Sequence, residues 1–177
     1  MQIFDGIVVV DEAYIDFSTA DSMIAKIKNY PNLIVTHTFS KAWGLAGARV
    51  GSAYASEEIV SLLNKVKPPY NVSTLNQQAV LEALNNSALF EKQKVTILAE
   101  RDRVQEQLLE LPIVKRIYPT AANFLLIEVA DANQTYDDLV ASQVITRNRN
   151  SVVNNCIRIT IGSEEENKKL IEALENI

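Results

Sequence analysis

The stretch GIVVVDEAY, residues 6–14, decides how this chain is read. Ile7, Val8, Val9 and Val10 are apolar on consecutive positions, the pattern of a strand inside a parallel sheet, not of one with a wet face. Asp11, Glu12 and Tyr14 follow at its carboxyl end. A second strand signal covers residues 33–35, and residues 22–28 between the two read as a helical crossover, so the chain opens on a βαβ-type unit. Ligands of open α/β sheets bind beyond the carboxyl ends of the strands. The run THTFSKAWGLAGARVG, residues 36–51, places Thr38, Ser40 and Lys41 at the second of those ends. If the two strands are parallel neighbours, one crevice receives a carboxylate, a phenol, two hydroxyls and an amine.

Apolar character already begins at Ile3 and Phe4, and a central parallel strand needs neighbours on both sides. Few parallel candidates remain downstream, so the chain reads as the C-terminal part of a longer protein. Residues 52–54 supply a third strand signal. Ser56 caps a helix with apolar positions Ile59, Leu62, Leu63 and Val66, closed by Pro68 and Pro69. Thr74 with Gln77 forms a capping-box pattern before Leu75, Ala79, Ala83 and Leu84. A long charged amphipathic stretch then runs from Ser87 to Leu111 and stops at Pro112, reading as a linking helix.

Beyond Pro112 the pattern changes to short strands at residues 114–118, 123–129, 144–146 and 156–161. Helices over residues 135–142 and 163–177 accompany them, the last opened by a Ser163–Glu166 capping box. The expected organisation is α/β: residues 1–86 as part of a large-domain sheet with helices, residues 87–111 as a linking helix, and residues 112–177 as a small α+β domain with helices on one face.

Composition narrows the partners. A net charge of −5 and a pI near 5.0 argue against nucleic acid and anionic membranes, which need basic surface. No apolar run approaches the roughly 20 residues that span a bilayer, and the start lacks a signal-peptide pattern. The single cysteine, Cys156, excludes an internal disulfide, fits a reducing cytoplasm and reads as a small buried strand residue.

The crevice residues suit a pyridine aldehyde cofactor. A carboxylate against the ring nitrogen keeps it protonated, a phenol reaches the ring oxygen, and a lysine forms an imine with the aldehyde and then moves a proton. Arg49 with nearby hydroxyls suits a phosphate, and Gly44, Ala46, Gly47 and Ala48 let backbone approach a bulky ligand.

IVVVDEAYIDF followed by THTFSKAWGLAGARVG resembles the fold-type I pyridoxal-phosphate aminotransferases, and is most similar within them to the histidinol-phosphate aminotransferases. The likeness continues through KPPYNVSTLNQQAVLEAL, TAANFLLIE, ITRNRNSV and CIRITIGSEEEN, essentially end to end. The resemblance implies that Asp11 pairs the pyridine nitrogen of pyridoxal 5'-phosphate, that Tyr14 meets its 3-oxygen, and that Lys41 holds it covalently. It further implies that Thr38, Ser40 and Arg49 contact the phosphate, that Arg158 receives the substrate anion, and that Arg147 is a second substrate contact. The implied reaction exchanges an amino group between histidinol phosphate and 2-oxoglutarate in histidine biosynthesis, in a cytoplasmic homodimer whose partners are small molecules. An aromatic aminotransferase or a phosphothreonine decarboxylase keeps nearly the same constellation. The family's other cofactor contacts are not found in these residues, and Gln143 stands where the family usually has glycine.

Several residues carry plainer readings. Four aliphatics before Asp11-Glu12 also fit a magnesium-handling strand, but that needs a GxxxxGK[ST] phosphate loop, which this sequence lacks. Thr38 and Ser40 also suit turn capping, and Tyr14 suits packing on the sheet. His37, the single histidine, reads as strand packing, and Asn123 as a turn residue. Tyr70 and Asn71 line the site or simply form a loop. Glu164, Glu165 and Glu166 complement a helix N-terminus and are not read as a metal site. The alternative for the chain alone is an inactive piece that self-associates through uncovered apolar surface.

Overall fold

A computed structural model of the protein describes residues 4–177, so Ile3 lies outside the described residues. The chain forms two compact units, one ending at Lys92 and one beginning at Gln93.

The first unit holds a three-stranded sheet of β1 (Val8–Asp11), β2 (Leu33–Thr38) and β3 (Gly51–Tyr54), in that order. β1 and β2 are parallel, with Asp11 opposite Thr36, and β3 returns antiparallel. Alternation along the strands makes two unlike faces. Val10, Val35 and Tyr54 share one face, and Leu33 and Val35 on it are fully buried. Asp11, Thr36 and Thr38 share the other, on which Val9 is 59% exposed. Among the described residues β1 pairs only with β2, so the second neighbour expected of an interior parallel strand is not among them.

The crossover is a 3-10 run, Met23–Asn29, and not an α-helix. Its Ile24 and Ile27 are three apart, which a three-residue turn stacks on one side. Ser22 caps the run by accepting from the Ile24 amide at 3.1 Å. Gly51 has a steric reason: a Cβ there would lie 2.8 Å from the His37 carbonyl oxygen.

Helix α1 (Glu57–Val66) starts after Ser56, but that hydroxyl donates to the Pro31 carbonyl at 3.1 Å instead of capping. Of its expected core positions Ile59 is buried, while Leu62 and Val66 are exposed. Helix α2 (Thr74–Asn85) is capped one residue earlier than expected, by Ser73 accepting from the Asn76 amide. Gln77 donates its side-chain amide to Val72 O, so the Thr74–Gln77 box does not form. Helix α3 (Ser87–Leu109) contains the division between the two units.

The second unit is a four-stranded antiparallel sheet ordered β4 (Val114–Ile117), β5 (Phe124–Val129), β7 (Cys156–Thr160) and β6 (Arg147–Asn148). Leu125, Ile127 and Val129 of β5 and Ile157 and Ile159 of β7 form one buried face. Val104 and Leu108 of α3, Leu139 of α4 (Ala132–Ala141), and Leu170, Ile171 and Leu174 of α5 (Glu164–Glu175) pack into the same core.

Helix α4 begins three residues before the expected Thr135. Asp131 accepts from the Asn133 and Gln134 amides, a carboxylate cap that outcompetes a start at threonine. The expected strand over residues 144–146 does not form. Gln143 turns left-handed (φ 61°) and the Val144 amide closes α4 on Leu139 O, so pairing begins only at Arg147. Helix α5 opens on the expected box, with Ser163 and Glu166 bonded reciprocally.

Candidate active site

The site is built on the open face of the first sheet. The parallel pairing of β1 and β2 brings their carboxyl ends side by side, so Asp11 stands beside Thr36, five residues before Lys41. Asp11 accepts from the Ala13 amide at 3.0 Å and from the Thr36 hydroxyl at 3.4 Å, both on Oδ1. Its turn carries Tyr14 toward the second strand end, where the Lys41 ammonium lies 5.4 Å from the centre of the Tyr14 ring. Asp11 and Lys41 are both exposed, so amine and carboxylate are open to a ligand, with the half-buried Tyr14 beside them.

Past β2 the chain makes a compact loop. The Ser40 amide donates to Thr38 Oγ1 at 3.1 Å, and the Leu45 amide returns to Phe39 O at 2.9 Å. Thr38 thus also serves the turn, as one of its two sequence readings had it. Gly44 supplies a left-handed residue (φ 68°). Arg49 is left-handed as well (φ 53°), an unfavourable state for a side chain with a Cβ, and its Nη1 donates to Ala46 O at 3.0 Å. Its guanidinium stays exposed at the mouth of the small-residue loop. Trp43, the single tryptophan, stacks on Phe90 with centroids 3.9 Å apart, anchoring the loop two residues from Lys41.

These residues fit a phosphorylated pyridine aldehyde. The Lys41 amine makes no ion pair among the described residues, a second carboxylate oxygen stands outside Asp11's two bonds, and Arg49 is a cation beside a glycine- and alanine-rich loop.

Glu12 was singled out from sequence only as a strand-end carboxylate, and the structure gives it a defined place. It is 7% exposed and accepts from Ser22 Oγ at 2.7 Å, the Met23 amide at 2.7 Å and His37 Nε2 at 2.8 Å. Burial raises its pKa, but the Met23 amide, Ser22 hydroxyl and His37 ring outweigh that and hold it below the ordinary carboxylate range. The available signal was alternation: Glu12 falls on the same side as Val8 and Val10, where a carboxylate needs partners. His37 also meets Tyr54 edge-on at 5.2 Å, so it combines ring packing with its hydrogen bond to Glu12.

The second unit carries the two remaining candidate site arginines. Arg147 is in β6, directly opposite Arg158 in β7. Like charges facing each other across a ladder repel, an arrangement suited to receiving an anion. The Arg158 guanidinium lies 5.1 Å from the Phe124 ring centre, and its buried Nε has no hydrogen-bond partner. Tyr70 is 93% exposed in a loop, Asn123 uses its carbonyl to accept from the Ile161 amide, and Cys156 is buried. Among the described residues no cluster of histidine, cysteine, aspartate or glutamate suits a metal ion, and no helix is long and apolar enough to cross a membrane.

Residues 2–174 match the family model for aminotransferase class I and II. The chain belongs to this family. It is 50% identical over 97% of its length to the histidinol-phosphate aminotransferase of Cytophaga hutchinsonii, and 51% identical over 98% to that of Christiangramia forsetii. In each case it covers 50% of the relative, so the chain spans about half the length of the curated relatives it matches. Among solved structures it resembles the histidinol-phosphate aminotransferase of Clostridium acetobutylicum, with a TM-score of 0.88 at 25% identity, covering 96% of this chain and 53% of that one. It also resembles the Sinorhizobium meliloti enzyme in complex with pyridoxal-5'-phosphate, with a TM-score of 0.85 at 26% identity, covering 96% of this chain and 48% of that one. The α/β fold read from sequence is the fold of these aminotransferases.

Proposed function

We propose that this chain carries the lysine-bearing part of a pyridoxal-phosphate transamination site, and that the whole protein exchanges an amino group between histidinol phosphate and 2-oxoglutarate. The observation that carries this reading is the Lys41 ammonium over the Tyr14 ring, beside the strand end that presents Asp11. The names of the relatives at 50% and 51% identity support the substrate pair over an aromatic aminotransferase or a phosphothreonine decarboxylase.

In this reading Lys41 anchors the cofactor aldehyde and its amine moves the proton at the substrate α-carbon. Asp11 holds a proton on the pyridine nitrogen, and Tyr14 donates to the 3-oxygen. Arg49, with Thr38 and Ser40, pairs the phosphate. When bound, the cofactor supplies an electron sink for the charge that develops at the α-carbon. Arg158, with Arg147, pairs the substrate anion: one guanidinium donates bidentately to the glutamate carboxylate or to the phosphate ester, so one site serves both halves of the exchange. The whole protein acts as a cytoplasmic homodimer on small-molecule partners, with residues 87–111 linking a cofactor domain, residues 1–86, to a small domain, residues 112–177.

The test is optical. Pyridoxal phosphate added to the chain gives a borohydride-reducible absorbance that maps to Lys41 and disappears in Lys41→Ala. A second reading, an inactive piece that self-associates, is favoured by the exposure of Ile7 (53%) and Val9 (59%) at the edge of the sheet. It predicts concentration-dependent oligomers with no lysine-dependent band. In the whole protein, Arg158→Ala weakens both substrates; an effect on neither removes the shared-anion role.

A further inference from the structure

We propose that Glu12 and His37 are positioning residues, a clamp behind the sheet that holds the strand end carrying Asp11 and Tyr14 against the one carrying Lys41. The proposal deepens the cofactor reading above and rests on it for its purpose, though not for its geometry.

The parallel ladder of β1 and β2 joins residues 8–11 to residues 33–36 and goes no further. Asp11 closes that ladder opposite Thr36, while Tyr14 and Lys41 lie past it, on turns that the β1–β2 pairing does not fix. The Glu12 amide adds one bond to Thr36 O at 2.9 Å. Its carboxylate then ties three segments together. Oε2 takes the His37 ring on β2 and the Ser22 hydroxyl, and Oε1 takes the Met23 amide at the start of the crossover. Glu12 adjoins Asp11 and lies two residues before Tyr14, while His37 lies four before Lys41.

The two sides of the strand ends divide the labour. Asp11, Thr36 and Thr38 face the open side, whereas Glu12 and His37 fall on the side of buried Val35. A carboxylate at a buried position costs stability unless it is paired and hydrogen-bonded, and an apolar residue there packs at less risk. Three bonds from two elements, β2 and the start of the crossover, satisfy Glu12 and give the charge a geometric use, because neither strand end can shift without breaking one of them. Ser22 reinforces the junction: its hydroxyl donates to Glu12 while accepting from the Ile24 amide, so the cap of the crossover and the clamp are one unit.

The experiment compares Glu12→Gln, which keeps size and removes charge, with Glu12→Ala, His37→Ala and the double alanine variant in the full chain. Amide exchange is followed by mass spectrometry without cofactor. Positioning predicts that exchange at residues 11–14 and 38–42 rises by about tenfold in each alanine variant, the scale of one lost charge-assisted bond. Residues 9–10 and 34–35 stay protected, Glu12→Gln shows a smaller rise, and the double variant is no worse than the worse single. A rise spread evenly over the first unit, additive single effects, or no change overturns the proposal. If Glu12→Ala fails to fold, Glu12→Gln and His37→Ala still decide.

The second arm measures pyridoxal-phosphate affinity by quenching of Trp43, the single tryptophan. Wild type gives a signal that Lys41→Ala abolishes, and His37→Ala weakens binding by about tenfold while leaving the band's position unchanged. Unchanged affinity in a folded His37→Ala variant overturns the positioning role. A wild type without Lys41-dependent quenching removes the cofactor reading alone, and the exchange result then decides the clamp by itself.

Discussion

The two units of this chain bury their apolar residues very differently. In the second, a continuous cluster from Val104 to Leu174 fills one face of the sheet, with Leu125, Ile127, Val129 and Ile157 fully out of water. In the first, Leu33 and Val35 are equally buried, yet Ile7, Val9, Leu62, Val66, Leu75 and Leu81 each remain more than half exposed. Nevertheless the first unit carries the amine, the phenol and the carboxylate of the proposed site. Burial is thus unequally shared within this chain, which spans about half the length of its curated relatives: the second unit holds a continuous core, and the first holds the proposed cofactor contacts. Apolar area removed from water is the main favourable term in folding, so the two should differ sharply in self-sufficiency.

The most severe way to break that comparison is to separate its halves. Residues 87–177, expressed alone, should give a dispersed NMR spectrum and a cooperative thermal transition. Residues 4–86 alone should oligomerise or stay unfolded. A monomeric, cooperatively folding 4–86 would show that the exposed residues of the first unit need no cover. Single truncations sharpen the same contrast. Ile127→Ala, at the centre of the second core, should cost about 2–5 kcal/mol by denaturant unfolding. Val9→Ala, on the exposed face of β1, should change stability by less than ~0.5 kcal/mol. Equal costs would mean that exposure in the first unit is not what it is taken to be.

What the sequence made legible follows the same division. Consecutive valines named the parallel strand, and the hydroxyl–lysine run named the second strand end, because strand alternation and residue chemistry are local. Neighbours are not local. The pattern of β1 calls for a neighbour on each side, and among the described residues only β2 supplies one. Capping was legible where one residue had no rival, as at Ser163, and misplaced where two hydroxyls stood together, as at Ser73 and Thr74. Arg147 and Arg158 are eleven residues apart, and only the register sets them opposite each other. The Glu12–His37 pair joins residues 25 apart, a contact no periodicity reveals.

Acid should act on the second unit through Glu100. Arg103 and then Asn167 hold its carboxyl down to about 2, from an ordinary value of 4.5. The folded value lies below the unfolded one, so its contribution is complete above pH 4.5 and lost as pH falls toward 2. Thermal unfolding of the second unit should lose roughly 2 kcal/mol over that window, allowing for partial solvent screening. Glu100→Gln should flatten the profile there, and an unchanged slope would show that the Arg103–Asn167 arrangement does not stabilise the charge.

The smallest expected effect separates strain kept for a turn from strain kept for chemistry. Both units hold a non-glycine residue in the left-handed region: Gln143 at φ 61° and Arg49 at φ 53°. Gln143 ends α4, its side chain is exposed, and its role is to let the chain reverse so that Val144 can close the helix. Glycine adopts that conformation freely, which relieves about 1 kcal/mol, while the looser unfolded chain returns part of it. Gln143→Gly should therefore stabilise the second unit by ~0.5 kcal/mol, with its spectrum unchanged. Arg49→Gly should relieve the same backbone strain in the first unit but remove the guanidinium proposed to hold a phosphate. It should leave the apo chain no less stable and weaken pyridoxal-phosphate binding by at least about tenfold, the scale of one charge-assisted pair. If Arg49→Gly bound the cofactor as wild type does, its left-handed arginine would be a turn residue like Gln143, and the chemical distinction between the two units would narrow to Lys41, Tyr14 and Asp11.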